Sequence, residues 1–166
     1  MWYAVGVVAV VVAVATYLTW VATRVDRLHA RAAAARAALD AQSLRRAAAA
    51  VEFGESRHLP EPQQAARAVL AAHAEAVRED LPARVEAENR LTKVLHHATE
   101  ELNTETLTDV VESSRRLALA RQVHSDRVRD ARAMRRRRLV RLLGLARKHG
   151  APEFFDIEDP ALEAGR

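Results

Sequence analysis

Histidines and carboxylates are the residues of this chain with the most evident capacity for chemistry. The 166 residues include seven His and 22 Asp plus Glu. A di-iron helical bundle would require Glu-x-x-His on two helices together with further inward-facing Glu residues. Comparable spacing occurs only at Asp26-x-x-His29, and His97 with Glu101 forms an i,i+4 pair of a kind common on helix surfaces. We therefore predict no metal and no cofactor.

The sequence also gives little support for a catalytic nucleophile or a phosphate-binding loop. The hydroxyls of Ser113, Ser114 and Ser125 have no His and Asp arrangement that helical spacing would assemble into a triad. The glycine-rich sequence that a phosphate-binding loop requires is absent. His124 falls on the apolar seam of a helix, which favours packing over ligation. The sequence therefore predicts a protein that is not an enzyme.

Positive charge is concentrated near the end of the third predicted helix. Four consecutive arginines project on all sides of a helix, so some must face solvent or a partner. No acid occurs from Ala131 to Pro152. The basic residues of this stretch are Arg132, Arg135, Arg136, Arg137, Arg138, Arg141, Arg147 and Lys148.

Three interpretations of these charges compete. Internal acids could neutralise them, from Glu75, Glu79, Asp80, Glu86, Glu88, Glu153, Asp156, Glu158, Asp159 and Glu163. Binding to anionic lipid is disfavoured because an up-down bundle of three long helices would place Arg135 roughly 40 Å from the membrane-proximal turn. That distance exceeds a Debye length of about 8 Å. An acidic protein is a better partner than nucleic acid, because no aromatic residues are interleaved for base stacking.

The element that would position these residues begins at the N-terminus. Trp2–Thr23 is uncharged, and its 22 residues would form a helix of roughly 33 Å, against a bilayer core of about 30 Å. Aromatic residues that favour the headgroup level stand at both ends: Trp2, Tyr3, Tyr17 and Trp20. The run is too long for a signal peptide and no Lys or Arg precedes it, so we predict a retained anchor.

The charges that flank this span predict its orientation. Arg24, Arg27 and Arg31 follow the span, whereas only the terminal amine precedes it. The positive-inside rule then places the N-terminus outside and the remaining chain in the cytoplasm, as a single-pass protein of the cell membrane. The chain has no Cys, so no disulfide pattern argues for an oxidising compartment.

The remaining chain is composed mainly of good helix formers. Breaks at Gly54, Pro60, Pro62, 103–106 and 150–152 leave three long segments, at about 20–54, 61–102 and 105–148. A heptad seam continues directly from the span at Val21, Val25, Leu28, Ala32, Ala35 and Leu39.

The predicted fold is therefore all-α: a transmembrane helix that continues into a long antiparallel helical bundle, whose second helix is kinked or broken near Pro82. The domains are an anchor at 1–23, a bundle at 24–149 and an acidic tail at 150–166. Many seam positions are Ala, and such a thin core also allows a homo-oligomer. In the tail, Phe154 and Phe155 beside acidic residues form either a short docking motif or a cap on the bundle.

Several stretches resemble the LemA family. Leu44-Arg45-Arg46 is similar to its L-x-R-R element, and Ala87–Thr92 is similar to its A-E-N-x-L-[ST] stretch. The run Ala120–Asp130 resembles its A-R-x-[FY]-Y-N-D-x-V-x-D run, although His124 and Ser125 stand where the family has Tyr and Asn. The closing Phe154-Phe155-Asp156 resembles its aromatic end.

The resemblance implies a divergent member with a short N-terminal anchor and a cytoplasmic helical bundle. It implies no reaction, because the family has no settled biochemical activity. The interpretation we favour is a scaffold or protein-interaction module whose candidate contacts are Arg135 to Arg138, Arg141, Phe154 and Phe155. A lipid-surface or membrane-organising coiled-coil protein is the alternative.

Overall fold

The protein is all-helical over the residues described by its computed structural model, which are 1–74, 81–101, 107–146, 148 and 150–162. Within these residues no strand occurs, which confirms the all-α prediction. The helices are α1 (Trp2–Arg57), α2 (Pro60–Ala74), α3 (Leu81–Glu101), α4 (Thr108–Arg135) and α5 (Arg138–Leu142). The predicted boundary at 103–106 lies outside the described residues.

Helix α1 runs without interruption for 56 residues. By length and composition it can cross a membrane, and only 6% of its most apolar 18-residue window is buried. Val5, Val10 and Val14 are all exposed on it. An apolar surface of this extent in water would be costly, because burial of apolar area is the dominant favourable contribution to folding. The described chain thus contains one N-terminal helix suited to a bilayer.

A Schellman turn ends α1. The Leu59 N–H donates to the Gly54 carbonyl at 2.8 Å, and His58 takes a left-handed conformation with φ 57°. A Cβ on Gly54 would lie 2.9 Å from the Leu59 carbonyl oxygen, so only glycine fits this approach. Pro60 then begins α2, where its missing N–H needs no partner.

Two of the predicted long segments differ from the observed helices. Helix α3 begins at Leu81, which places Pro82 in its first turn, and residues 75–80 between α2 and α3 lie outside the described part. The third segment does not continue to 148 as one helix, because α4 ends at Arg135 and Arg137 is extended with φ −62° and ψ 134°. Like charges three and four residues apart, such as Arg132 with Arg135 and Arg136, disfavour the helix there.

The chain divides into two compact units, which we describe separately. The first unit comprises Met1–Ala34 and Asp126–Glu153, and the second comprises Ala35–Ser125 and Phe154–Arg166. In the second unit, four helices contribute to one apolar cluster, which includes Ala47, Phe53, Ala65, Val69, Leu91, Leu95, Leu107 and Val110. A smaller cluster joins Leu39 and Leu117 to Phe155 and Ile157 of the C-terminal segment.

A buried polar network lies within the second unit. The Arg46 Nη1 donates to Glu88 Oε2 at 3.3 Å and to Thr92 Oγ1 at 3.0 Å. The Arg46 Nε donates to Ser114 Oγ at 3.1 Å, and Ser43 donates to the Glu88 carboxylate. All five side chains are buried. The network therefore joins α1, α3 and α4 by directional bonds that fix how these helices align.

Charge balance makes this network sensitive to single substitutions. Burial lowers the pKa of the Arg46 guanidinium, while the Glu88 carboxylate opposes that shift through charge attraction and a hydrogen bond. Both side chains of the pair are fully buried. Removal of one partner leaves an uncompensated buried charge, which is far less favourable than removal of both.

We expect Glu88→Gln to lower the free energy of unfolding by about 3–5 kcal/mol, because Arg46 would keep its charge without a counterion. The double variant Arg46→Met/Glu88→Leu should be much less destabilised, since no buried charge remains. Urea unfolding of the detergent-solubilised chain, followed by circular dichroism at 222 nm, measures both. A double variant less stable than Glu88→Gln would contradict the role of charge compensation.

Candidate functional site

The first unit contains the candidate site, at the point where α1 leaves its apolar stretch. Its apolar core joins Val21 and Val25 of α1 to Met134 of α4, Val140 of α5 and Ala146. All five side chains are buried. The end of α4 and the whole of α5 are thereby held against the turns of α1 that follow the apolar stretch.

Hydrogen bonds from two arginines hold the chain beyond α5 in place. The Arg135 Nη1 donates to the carbonyls of Ala146 at 3.1 Å and Gly150 at 3.3 Å. The Arg132 Nε donates to the Pro152 carbonyl at 2.8 Å. Arg132 and Arg135 thus have a structural role, since each binds backbone oxygens of the segment that follows the helices.

His29 connects α1 to the same arginine. Its Nδ1 lies 2.9 Å from the Val25 carbonyl, which can only accept, so Nδ1 carries the proton. The Nε2 lone pair can then accept from Arg135 Nη1, which lies 3.4 Å away. This contact places Arg135 beside His29, which follows Arg24 by five residues on α1. The expectation that Arg135 lies roughly 40 Å from the residues that follow the span is therefore wrong.

The error lies in the assumed helix order. Two helices, α2 and α3, occupy the second predicted segment. In the second unit, the start of α4 shares a core with Phe53 near the far end of α1, through Leu107 and Val110. In the first unit, the end of α4 packs on Val21. An up-down succession of three long helices would have put that end elsewhere.

The other basic residues of this region remain available for a partner. Arg136, Arg137, Arg138 and Arg141 are exposed. Among the described residues, no carboxylate lies within 4 Å of any of these four guanidinium groups. Lys148 differs, because its Nζ lies 2.8 Å from Asp26.

Several of the acids expected to neutralise the cluster pair with other basic residues or lie outside the described residues. Glu88 pairs with Arg46, and Glu158 lies 3.3 Å from Lys93. Glu75, Glu79, Asp80 and Glu163, and the basic residue Arg147, lie outside the described residues. Internal neutralisation by the described acids therefore does not account for Arg136 to Arg138 and Arg141.

The predicted anchor residues lie at the two ends of the apolar stretch. Trp2 and Tyr3 are exposed at its start. At its far end the rings of Tyr17 and Trp20 stack with centroids 6.2 Å apart. The Arg24 guanidinium lies 5.7 Å from the Trp20 ring centroid, in a cation–π contact. Arg27 is exposed less than one turn farther along.

The two tail phenylalanines have different environments in the second unit. Phe155 is 1% exposed and packs with Leu39 and Leu117. Its ring lies 4.4 Å from the Arg36 guanidinium and 5.9 Å from that of Arg84. Phe154 is partly exposed. A docking motif that requires both rings at the surface is not compatible with this arrangement, because Phe155 belongs to the core.

The carboxylate and histidine pairs considered for metal binding have other neighbours. Asp26 pairs with Lys148 and His29 contacts Arg135, so cations occupy that position. His97 is exposed, with its Nε2 3.4 Å from Glu101. Over the described residues, no group of three or more His, Asp or Glu could hold a metal ion.

His124 is the most unusual titratable residue of the second unit. It is 2% exposed, and within the described residues its Nδ1 has no hydrogen-bond partner. Burial lowers the pKa of His124, and the Arg36 cation lowers it further, whereas the Asp40 carboxylate opposes the shift. The folded protein therefore holds this imidazole neutral at a pH at which an unfolded chain would begin to protonate it.

The arrangement predicts a loss of stability in mild acid. The unfolded state binds the His124 proton first as pH falls below about 6.5, so the free energy of unfolding decreases there, by at most about 1.4 kcal/mol per pH unit. His124→Gln should reduce this dependence between pH 7.5 and 5, measured by urea unfolding. The exposed control His97→Gln should retain it. Identical slopes for His124→Gln and the parent would contradict this assignment.

The Arg46–Glu88 pair is the feature that sequence reasoning missed. The sequence offers Glu88 as a counterion for the distal arginines and Arg46 as part of a family resemblance. Both residues lie on heptad seams, since Arg46 follows Leu39 by seven positions and Glu88 precedes Leu95 by seven. Opposite charges on two seams of a helical protein are a signal for a buried pair.

Comparison with known proteins finds no family model that matches this chain, and no similar curated protein or solved structure.

Proposed function

We propose that this chain is a single-pass, non-catalytic membrane protein of the LemA type that displays a helical bundle as a scaffold on the cytoplasmic face. The observation that carries the proposal is the continuity of α1. The helix passes from an exposed apolar stretch into residues whose side chains belong to packed cores. A protein that acts as a scaffold needs such a rigid connection between its anchor and the surface that it presents.

Packing at the end of the apolar stretch supports a retained anchor. Val21 lies within the predicted span and is buried in the core of the first unit with Met134 and Val140. Cleavage of a signal peptide on the C-terminal side of Val21 would remove part of that core. The span thus has a structural role as well as a targeting role.

The charges and contacts of the helices support the finer topology of the proposal. Arg24, Arg27 and Arg31 flank the span on its C-terminal side, which favours a cytoplasmic location for the bundle. In the second unit α4 begins in a core with Phe53 and continues to Leu117, which packs with Leu39. These pairings favour an antiparallel arrangement of α4 and α1.

Labelling of one introduced cysteine tests the orientation. Ser56 is exposed near the end of α1, and the chain has no Cys, so Ser56→Cys provides a unique site. We expect a membrane-impermeant maleimide to label this variant only in permeabilised cells. Labelling in intact cells would contradict a cytoplasmic bundle. The cysteine-free parent controls for background labelling.

Binding to the membrane surface is the second candidate, and a specific observation favours it. The region of α4 and α5 that carries four exposed arginines packs on α1 at Val21, near the end of the apolar stretch, and at Val25, just beyond it. Cations so placed lie within reach of an anionic leaflet, which attracts each basic residue by about 1 kcal/mol. A scaffold could use this contact to orient itself on the membrane.

A further inference from the structure

A groove on α1 lies where the apolar stretch meets the first arginines. Its volume is about 580 Å³. The lining residues come from one face of α1 and change in character along it: Ala15, Thr16, Thr19, Trp20, Thr23, Arg24, Arg27, Leu28 and Arg31. One end is apolar or weakly polar, and the other end is lined by three guanidinium groups.

The three arginines of the groove have the spacing of a single helix face. Arg24, Arg27 and Arg31 follow Trp20 by four, seven and eleven residues, which places all four on one side of the helix. Each of the three arginines is exposed. Within the described part of the chain, no carboxylate lies within 4 Å of them. Their charge is therefore not neutralised by the described residues.

The contact with Trp20 leaves the N–H donors of Arg24 available to an anion. The guanidinium lies 5.7 Å from the ring centroid. In such a contact the ring faces the guanidinium plane, while the N–H donors point outward in that plane and stay available for phosphate oxygens. The hydroxyl of Thr23 already donates to the Thr19 carbonyl at 2.8 Å, so Arg residues supply the free donors.

The positions of Trp20 and the three arginines along α1 match the depth of a lipid headgroup in a bilayer. Trp favours the headgroup level, and the rise of about 1.5 Å per residue places Arg24 about 6 Å and Arg27 about 10 Å beyond Trp20. The side chains of a helix lean toward its N-terminus, which here is toward the apolar stretch. Arg31 can therefore also reach back toward the same level.

We propose that this groove binds the phosphate of an anionic phospholipid headgroup. The inference deepens the proposed function, because it rests on α1 being inserted in a bilayer. Arginine pairs with phosphate oxygens through two parallel hydrogen bonds, which favours it over a single point charge. The apolar end of the groove at Ala15 and Thr16 lies where the acyl chains of the same molecule would run. That continuity favours a lipid over free phosphate.

Energy transfer from Trp20 provides a direct test. The chain has two tryptophans, so Trp2→Phe leaves Trp20 as the only donor, within the groove itself. The full chain would be reconstituted in nanodiscs that contain equal amounts of either dansyl-labelled anionic or dansyl-labelled zwitterionic lipid. We expect stronger transfer to the anionic lipid, with a preference of about fivefold for each arginine that contacts the phosphate.

Two sets of substitutions separate the groove from general positive charge. Arg24→Gln/Arg27→Gln/Arg31→Gln should abolish the preference while transfer to zwitterionic lipid persists. The matched control Arg45→Gln/Arg57→Gln/Arg115→Gln removes the same charge from exposed positions outside the groove and should retain the preference. Equal transfer to both lipids in the parent, or equal loss in the two triple variants, would overturn the proposal.

Two further outcomes concern competition by inorganic phosphate and the insertion of α1 in the bilayer. Inorganic phosphate, compared with chloride at equal ionic strength, should not abolish the preference; if it does, the groove is a site for free phosphate and the lipid assignment is wrong. Absence of transfer to either lipid would show that α1 is not inserted, which contradicts the proposed anchor and the lipid site together. Transfer without a lipid preference would contradict the headgroup site alone.

Discussion

The continuity of α1 is the constraint on which the other described elements depend. In the first unit, α5 and the end of α4 pack on Val21 and Val25 of this helix. In the second unit, α2, α3 and the start of α4 share a core with Ala47 and Phe53. The same helix supplies the exposed apolar stretch. One helix therefore supplies both the apolar stretch and buried residues of the apolar clusters in the two units.

The buried Arg46–Glu88 pair gives physical meaning to stretches noted at first only as a resemblance. Arg46 closes the L-x-R-R stretch, and Glu88 and Thr92 belong to the A-E-N-x-L-[ST] stretch. In the structure these three residues bond to one another, with Ser114 of α4 as a further partner. Ala supplies five of the thirteen buried residues in the apolar cluster of the second unit, and such small side chains provide little shape to fix helix register. Directional polar bonds supply that specificity instead.

The sequence predicted helices and the apolar span well, because both depend on local composition and periodicity. Val21, Val25 and Leu39 were predicted on a seam and are buried. The arrangement of the helices was harder to predict, since it depends on whether residues near Pro82 continue a helix or begin one. The assumption of an up-down succession of three long helices was wrong: two helices occupy the second predicted segment, and the end of α4 packs on Val21. The sequence left open whether Phe154 and Phe155 form a docking motif or a cap, because the burial of Phe155 depends on contacts with Leu39 and Leu117, which are distant in sequence.

The position of the end of α4 tests the central claim most directly. A fluorophore on Ala133→Cys, an exposed position of α4, would be compared with the same label on Ala30→Cys, an exposed position of α1 about 9 Å beyond Arg24. Both would be measured in vesicles that contain lipid with a quencher on its headgroup. We expect strong quenching at both positions, because the end of α4 packs on the part of α1 that follows the apolar stretch. Strong quenching at position 30 with little at position 133 would contradict this arrangement.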